Sequence, residues 1–167
     1  MSVEELLRRV ARKGSWMGGG SVAALCAALS AALLEKLLVQ PAAAQRLRRI
    51  QRTCLALMPR DARAFSQVIR ATRHSDRRRF QRSLKAATEV PWQVFAHAQT
   101  VQRMCRQAQR SVKPRFQSDL RCALAVALAA SESARTLIHT NLAWLNEPAY
   151  TRMMRRRLQS TTQRNSR

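Results

Sequence analysis

An all-α bundle of five to six helices with short connections is the fold that the sequence predicts, on three observations. Only four glycines and five prolines occur in 167 residues, while Ala, Leu, Arg and Gln, all good helix formers, are plentiful. Apolar residues recur at spacings of three or four through long stretches. No stretch alternates apolar and polar residues as a half-buried strand would. The length suits one domain with its own core, and no repeat or linker divides it. Residues 1–150 are expected to form this domain and 151–167 a basic helix end and tail.

The elements follow in order. Val3, Leu6, Leu7 and Val10 mark a short amphipathic helix, with Ser2 as N-cap and Glu5 three residues on. All four glycines then fall in Gly14-Ser15-Trp16-Met17-Gly18-Gly19-Gly20-Ser21. They feed the Ala-rich run from Val22 to Leu34, predicting a second helix from about Gly20 or Ser21 to Val39, ended by Gln40-Pro41. Its nearly continuous apolar character predicts a central helix buried on most sides. A glycine loop opening such a helix lets backbone approach a ligand and aims unsatisfied N–H groups at it. The plain alternative is that Gly14 caps the first helix and the triplet serves close packing. The Lys-Ser/Thr of a phosphate loop is missing, and no strand precedes the glycines.

The third helix, from Ala42 to about Arg73, carries apolar residues at Leu47, Ile50, Cys54, Leu57, Met58, Phe65, Val68 and Ile69. The gap between Met58 and Phe65 is filled in phase by Asp61, two residues after Pro59, which must kink or restart the helix. A brief His74-Ser75-Asp76 connection, with Asp76 as cap, leads to a fourth helix from Arg77 to about Arg110, containing Pro91. Lys113-Pro114 breaks the chain. The fifth helix, Arg115 to Leu145, has a stripe through Phe116, Leu120, Leu124, Leu128, Ile138 and Leu142, with Asp119 in its first turn and Asn141 near its end. After Asn146-Glu147-Pro148, a short helix runs into Arg155-Arg156-Arg157 and a polar tail expected to fray.

Asp61 is the sharpest chemical signal. A carboxylate in an apolar stripe is costly unless paired or used, and desolvation raises its pKa toward the range a proton carrier needs. An arginine such as Arg60 or Arg63 would neutralise it instead. Asp119 also suits the positive end of its helix, and Asn141 a satisfied core amide.

The net charge of +22 points to an anionic partner: nucleic acid, an acidic membrane surface or a polyanionic small molecule. A solvated arginine-rich surface is the plain alternative. A hydrophobic content of 46% excludes a disordered polyelectrolyte. Cys26, Cys54, Cys105 and Cys122 lack metal-ligand spacing, and with scattered His74, His97 and His139 they predict free thiols, no metal site and a reducing, cytoplasmic setting. The basic residues before the 22–34 run and Ala42-Ala43-Ala44 after it imitate a signal peptide. Glu4, Glu5 and Glu35-Lys36 argue against one, and the run is too short to span a bilayer.

Five motifs in order resemble the cyclodeaminase/cyclohydrolase family of folate one-carbon enzymes. They are Ser15-Trp16-Met17-Gly18-Gly19-Gly20-Ser21-Val22-Ala23-Ala24, Asp61-Ala62-Arg63-Ala64-Phe65, Ala86-Ala87-Thr88-Glu89-Val90-Pro91, Ser118-Asp119 and Thr140-Asn141-Leu142. The resemblance runs from about Leu6 to Tyr150. It implies a helical, dimeric, cytoplasmic enzyme on a tetrahydrofolate derivative, with no further cofactor. Asp61 is the implied catalytic residue, with Gly18, Gly19, Gly20, Ser21, Asp119 and Asn141 as implied substrate contacts. The arginine excess would suit a polyglutamate tail. The chain departs from the family pattern at Met17, where proline is usual, and across Lys36–Ala44 and Arg73–Asp76, where family segments are replaced or shortened.

Three functions remain open to the sequence. One is a formimidoyltetrahydrofolate cyclodeaminase or methenyltetrahydrofolate cyclohydrolase using Asp61 as proton shuttle. Another is a non-catalytic member of the same fold acting as a binding or scaffold protein. The third is a basic nucleic-acid binder, disfavoured because the few aromatics sit mostly at core-phase positions and offer no stacking platform.

Overall fold

The computed structural model describes residues 2–73 and 76–166, and all regular structure among them is helical. Helix α1 spans Val3–Ala11, α2 Gly19–Glu35, α3 Pro41–Arg73, α4 Arg77–Ala108, α5 Gln117–Trp144 and α6 Pro148–Ser166, with a single 3₁₀ turn at Pro114–Phe116. The all-α bundle read from the sequence is the observed fold. No described helix is long and apolar enough to cross a membrane.

Helix boundaries follow local chemistry. The Ser2 hydroxyl accepts the Glu5 N–H at 3.1 Å and caps α1. Gly14, at φ 76, turns the chain after it. Helix α2 stops at Glu35, short of the expected Val39. The Leu37 and Leu38 N–H groups reach back only three residues, to Leu34 and Glu35, tightening the last turn before Pro41. Helices α3 and α4 continue through Pro59 and Pro91. Asp76 caps α4 by accepting the Arg79 N–H at 2.9 Å, whereas the expected His74-Ser75 connection lies outside the described residues.

Helix α2 packs against α3, α4 and α5. Its buried Ala23, Ala24, Ala27, Ala28 and Ala31 meet an α5 face of Ala123, Ala127, Ala130 and Ala134, and small side chains let the two backbones approach closely. The Ser30 hydroxyl donates to the Ala123 carbonyl at 2.7 Å across that seam. Larger groups fill the rest of the core. Leu34, Leu47, Leu57, Phe95 and Ile138 are fully buried, each stabilising the fold by about 1.5–3 kcal/mol. Helix α2 is buried on most sides, as expected, and Val22, Leu29 and Ala32 are exposed on its remaining face.

The C-terminal segment also differs from the frayed tail expected of it. Helix α6 runs unbroken to Ser166 because Met154 and Leu158, one turn apart, bury against the bundle. Arg157 holds it on α4, at 2.9 Å from Glu89 and stacked over Trp92.

Candidate functional site

The site forms where α2 begins. Gly18 occupies the N-cap position and has no side chain to satisfy the first-turn N–H groups. A carboxyl group from α3 supplies the missing cap. Asp61 Oδ2 lies 3.1 Å from the Ser21 hydroxyl, and the Ser21 backbone N–H donates to the same carboxyl group. A Cβ on Gly20 would fall directly on that carboxyl group. Glycine there is therefore a steric requirement of Asp61's position.

Ser21 Oγ also lies 3.1 Å from the Met58 carbonyl. A hydroxyl has one proton to give and two lone pairs to receive with. When Asp61 is protonated, its O–H can donate to Ser21 while Ser21 donates to Met58, satisfying all three atoms. When Asp61 is ionised, the carboxylate and the Met58 carbonyl compete for one proton.

Burial raises the Asp61 pKa above its ordinary value of 3.8, against the opposing pull of the Ser21 hydroxyl and backbone N–H. Among the described residues no Lys, Arg or His forms an ion pair with it. Neither Arg60 nor Arg63 neutralises it; both are exposed on α3.

Asp61 opens onto a cavity of about 290 Å³ between α2, α3, α4 and α5, whose rim includes Gly18, Gly19, Gly20 and Asn141. Ser21 is buried behind the glycines. Asp119 is elsewhere: it pairs with Lys36 at 2.7 Å, beyond the far end of α2, about 25 Å from the glycines at 1.5 Å per residue. The structure thus gathers six of the seven expected site residues and gives the seventh an ion pair on another surface.

Several cavity residues were not singled out from the sequence as contacts. Val68, Leu84, Leu137 and Pro91 form apolar walls, and Thr140 adds a hydroxyl beside Asn141. Pro91 has no N–H, so the Ala87 carbonyl one turn earlier loses its helical donor; both residues line the cavity. Trp16 and Phe65, 44% and 50% exposed, pair edge to face at 6.3 Å on its rim. That corrects the expectation that the aromatics are mostly core residues. For Phe65 a signal existed, since it follows Asp61 by one helical turn; nothing in the sequence placed Trp16 beside it.

A larger, more open hollow of about 560 Å³ lies between α4, α5 and α6. Its acid, Glu132, is engaged by Arg135 at 2.7 Å, so it lacks the unpaired carboxyl group of the smaller cavity. No three His, Cys, Asp or Glu side chains converge on a metal-binding arrangement among the described residues.

The sequence model of the formiminotransferase-cyclodeaminase family matches residues 2–160. Among solved structures, the fold is similar to the crystal structure of formiminotetrahydrofolate cyclodeaminase from Thermotoga maritima. The TM-score is 0.87 at 20% identity, over 99% of this chain and 90% of that one. No curated protein sequence matches significantly.

Proposed function

The chain belongs to the formiminotransferase-cyclodeaminase family, and from that premise we propose that it is a folate one-carbon enzyme in which Asp61 carries the proton. It acts on the N5/N10 one-carbon bridge of a tetrahydrofolate derivative, as a formimidoyltetrahydrofolate cyclodeaminase or a methenyltetrahydrofolate cyclohydrolase. One observation supports this above the others. The Asp61 carboxyl group is half-buried, unpaired with any cation among the described residues, and open to a cavity with apolar walls. Such a group exchanges protons nearer neutrality than an exposed aspartate does.

In the deaminase direction, N10 attacks the carbon of the N5-formimino group, which enters protonated as =NH2+, and the ring closes. The amino group on the resulting tetrahedral carbon takes a proton from Asp61 and leaves as ammonia; the N10 proton returns to the carboxylate. In the hydrolase direction, water adds to the methenyl carbon and gives a proton to Asp61. Asp61 then protonates N5 as the C–N5 bond breaks, and the hydroxyl of the adduct releases its proton to solvent, leaving the formyl group on N10. Ser21 orients the carboxyl group in both. Asn141, Thr140 and the Ala87 carbonyl offer polar contacts to a ring held between the apolar walls.

The enzyme acts as a homodimer in this reading, and its location is cytoplasmic. The exposed Val22, Leu29 and Ala32, with half-buried Leu25, Cys26 and Leu33, share one face of α2 at helical spacing, a self-complementary surface for a second copy.

Methenyltetrahydrofolate absorbs where its products do not, so turnover is read directly. The wild type is expected to convert it or to generate it from the formimino compound, and Asp61→Asn to lose that activity with its helical content intact. Equal inertness of both proteins toward both substrates would end the enzymatic reading in favour of a non-catalytic binder.

A further inference from the structure

Six arginines fall in the thirteen residues from 70 to 82, more than twice the average density of Lys and Arg over the whole chain. Arg70 and Arg73 lie in the last turn of α3, and Arg77, Arg78, Arg79 and Arg82 in the opening turns of α4. The two helices pack together, so all six stand at one end of the bundle. Each lies within about 8 Å of a helix end, at 1.5 Å per residue, and every one is exposed.

Local stability does not account for this cluster. Arg70 and Arg73 suit the C-terminus of α3, whose carbonyls carry partial negative charge. Arg77, Arg78 and Arg79 sit at the N-terminus of α4, where cations oppose the dipole, and no acid occupies that first turn. Arg78 and Arg82, four residues apart, add like-charge repulsion on one helical face. Compensating acids are lacking too. None of the six arginines forms an ion pair among the described residues. Six of the nine acids in the chain hold cations outside residues 70–82. Asp76, the one acid of the stretch, caps α4 by accepting the Arg79 N–H at 2.9 Å. An external polyanion would relieve the repulsion that the chain itself leaves standing.

The surroundings of the cluster select among polyanions. Single strands are held by aromatic rings on which bases stack, and Phe80, the one Phe, Tyr or Trp of the stretch, packs against the core. Membrane-surface helices combine basic residues with inserted apolar side chains. The large apolar side chains exposed on the described residues all lie outside residues 66–115. A duplex needs neither feature, because its backbone presents one charge per about 1.7 Å of axis and binds through phosphates alone. We propose that the arginine-rich end of the α3–α4 pair is a sequence-independent binding surface for double-stranded DNA. The guanidinium fork matches phosphate geometry. B-form DNA sets its phosphates beside a major groove about 12 Å wide, which admits one helix end, whereas duplex RNA narrows that groove. DNA therefore lets arginines of both helices reach phosphates. This activity is additional to the reaction at Asp61, about 13 Å farther along α3.

Fluorescence anisotropy with a labelled DNA duplex of mixed sequence and about 24 base pairs, at roughly 50–300 mM salt, tests the surface. The slope of log affinity against log salt should approach about −5 for the wild type, the value for six neutralised phosphates. Arg78→Gln/Arg79→Gln/Arg82→Gln should bring it to about −3 and weaken binding about tenfold or more. Arg70→Gln/Arg73→Gln, on the other helix, should bring it to about −3.5. Arg152→Gln/Arg155→Gln/Arg156→Gln removes charge from α6 and should keep the wild-type slope, as should Asp61→Asn whatever its turnover. Absence of wild-type binding at the lowest salt, a slope unchanged in both tip variants, or an equal loss in the α6 variant overturns the proposal. So does equal or tighter binding of duplex RNA or single-stranded DNA. Binding to phosphatidylserine vesicles that depends on the tip arginines, with no binding to DNA, assigns the surface to a membrane and overturns it as well.

Discussion

The hydroxyl of Ser21 stands 3.1 Å from Oδ2 of Asp61 and joins the first turn of α2 to the middle of α3. The same carboxyl group accepts the Ser21 backbone N–H, so at a helix with a glycine N-cap a partly desolvated acid takes up one of the first-turn N–H groups. Stability and chemistry are therefore coupled at one carboxyl group.

Asp61→Asn separates the two. Because burial raises the folded-state pKa above 3.8, the folded protein binds more protons than the unfolded chain between that value and the raised one. Stability accordingly falls as pH rises through this window, and the loss persists at neutral pH. Asparagine still accepts from Ser21 without the charge. The variant should melt at a higher temperature than the wild type at pH 7, and the difference should shrink toward pH 4. A lower melting temperature at pH 7 would mean that the ionised form is the one the fold prefers.

Gly20→Ala should act in the opposite way on activity and fold. Alanine favours the helix by up to about 1 kcal/mol, yet its Cβ occupies the position of the Asp61 carboxyl group. Turnover should fall by about 100-fold or more while circular dichroism stays helical. Retained turnover would show that the carboxyl group can work from another position.

Ser21→Ala removes the hydroxyl shared by Asp61 and the Met58 carbonyl. One buried hydrogen bond is lost, at about 1 kcal/mol of stability. Turnover should drop roughly tenfold, chiefly in kcat, because the carboxyl group loses its orientation and not its proton. A pure KM effect would assign Ser21 to substrate contact instead.

Leu29→Glu places a charge on the exposed apolar face of α2. If that face joins two copies, the variant should sediment as a monomer where the wild type sediments as a dimer. Because Leu29 is 56% exposed, the fold of one chain should tolerate the change within about 0.5 kcal/mol.

Thiol reactivity provides an independent check on packing. Burial pushes Cys54 up to about 12 and Cys105 up to about 11, and also raises Cys26; Cys122 is exposed. At pH 8, iodoacetamide should modify Cys122 first and Cys26 slowly, as read by mass spectrometry. Cys54 and Cys105 should react only after unfolding, since the thiolate is the nucleophile.

Much of this architecture was legible in the chain. Three-or-four spacing marked α3 and α5, a nearly continuous apolar run marked α2, and Pro41, Pro114 and Pro148 located the breaks. Asp61 stood out because it sat in phase among apolar residues, a conflict between local pattern and charge that marks sites of function or strain. Helix ends were less legible. The early stop of α2 depends on three-residue hydrogen bonds at Leu37 and Leu38 that compete with an apolar sequence still suited to helix. The order of α6 depends on Met154 and Leu158 finding a surface on the bundle.

The sequence alone determined that the chain is helical, that a glycine segment opens an Ala-rich helix, and that one acid interrupts the apolar stripe of the next, because periodicity and composition are local properties. Only the tertiary structure decided which distant groups share a space. It put Ser21, Gly20 and Asp61 in contact, left the carboxyl group without a cation partner among the described residues, set Trp16 against Phe65, and sent Asp119 to Lys36 on another surface. The physical reason is that desolvation, hydrogen-bond satisfaction and ion pairing depend on the distance between elements, which helical periodicity does not encode.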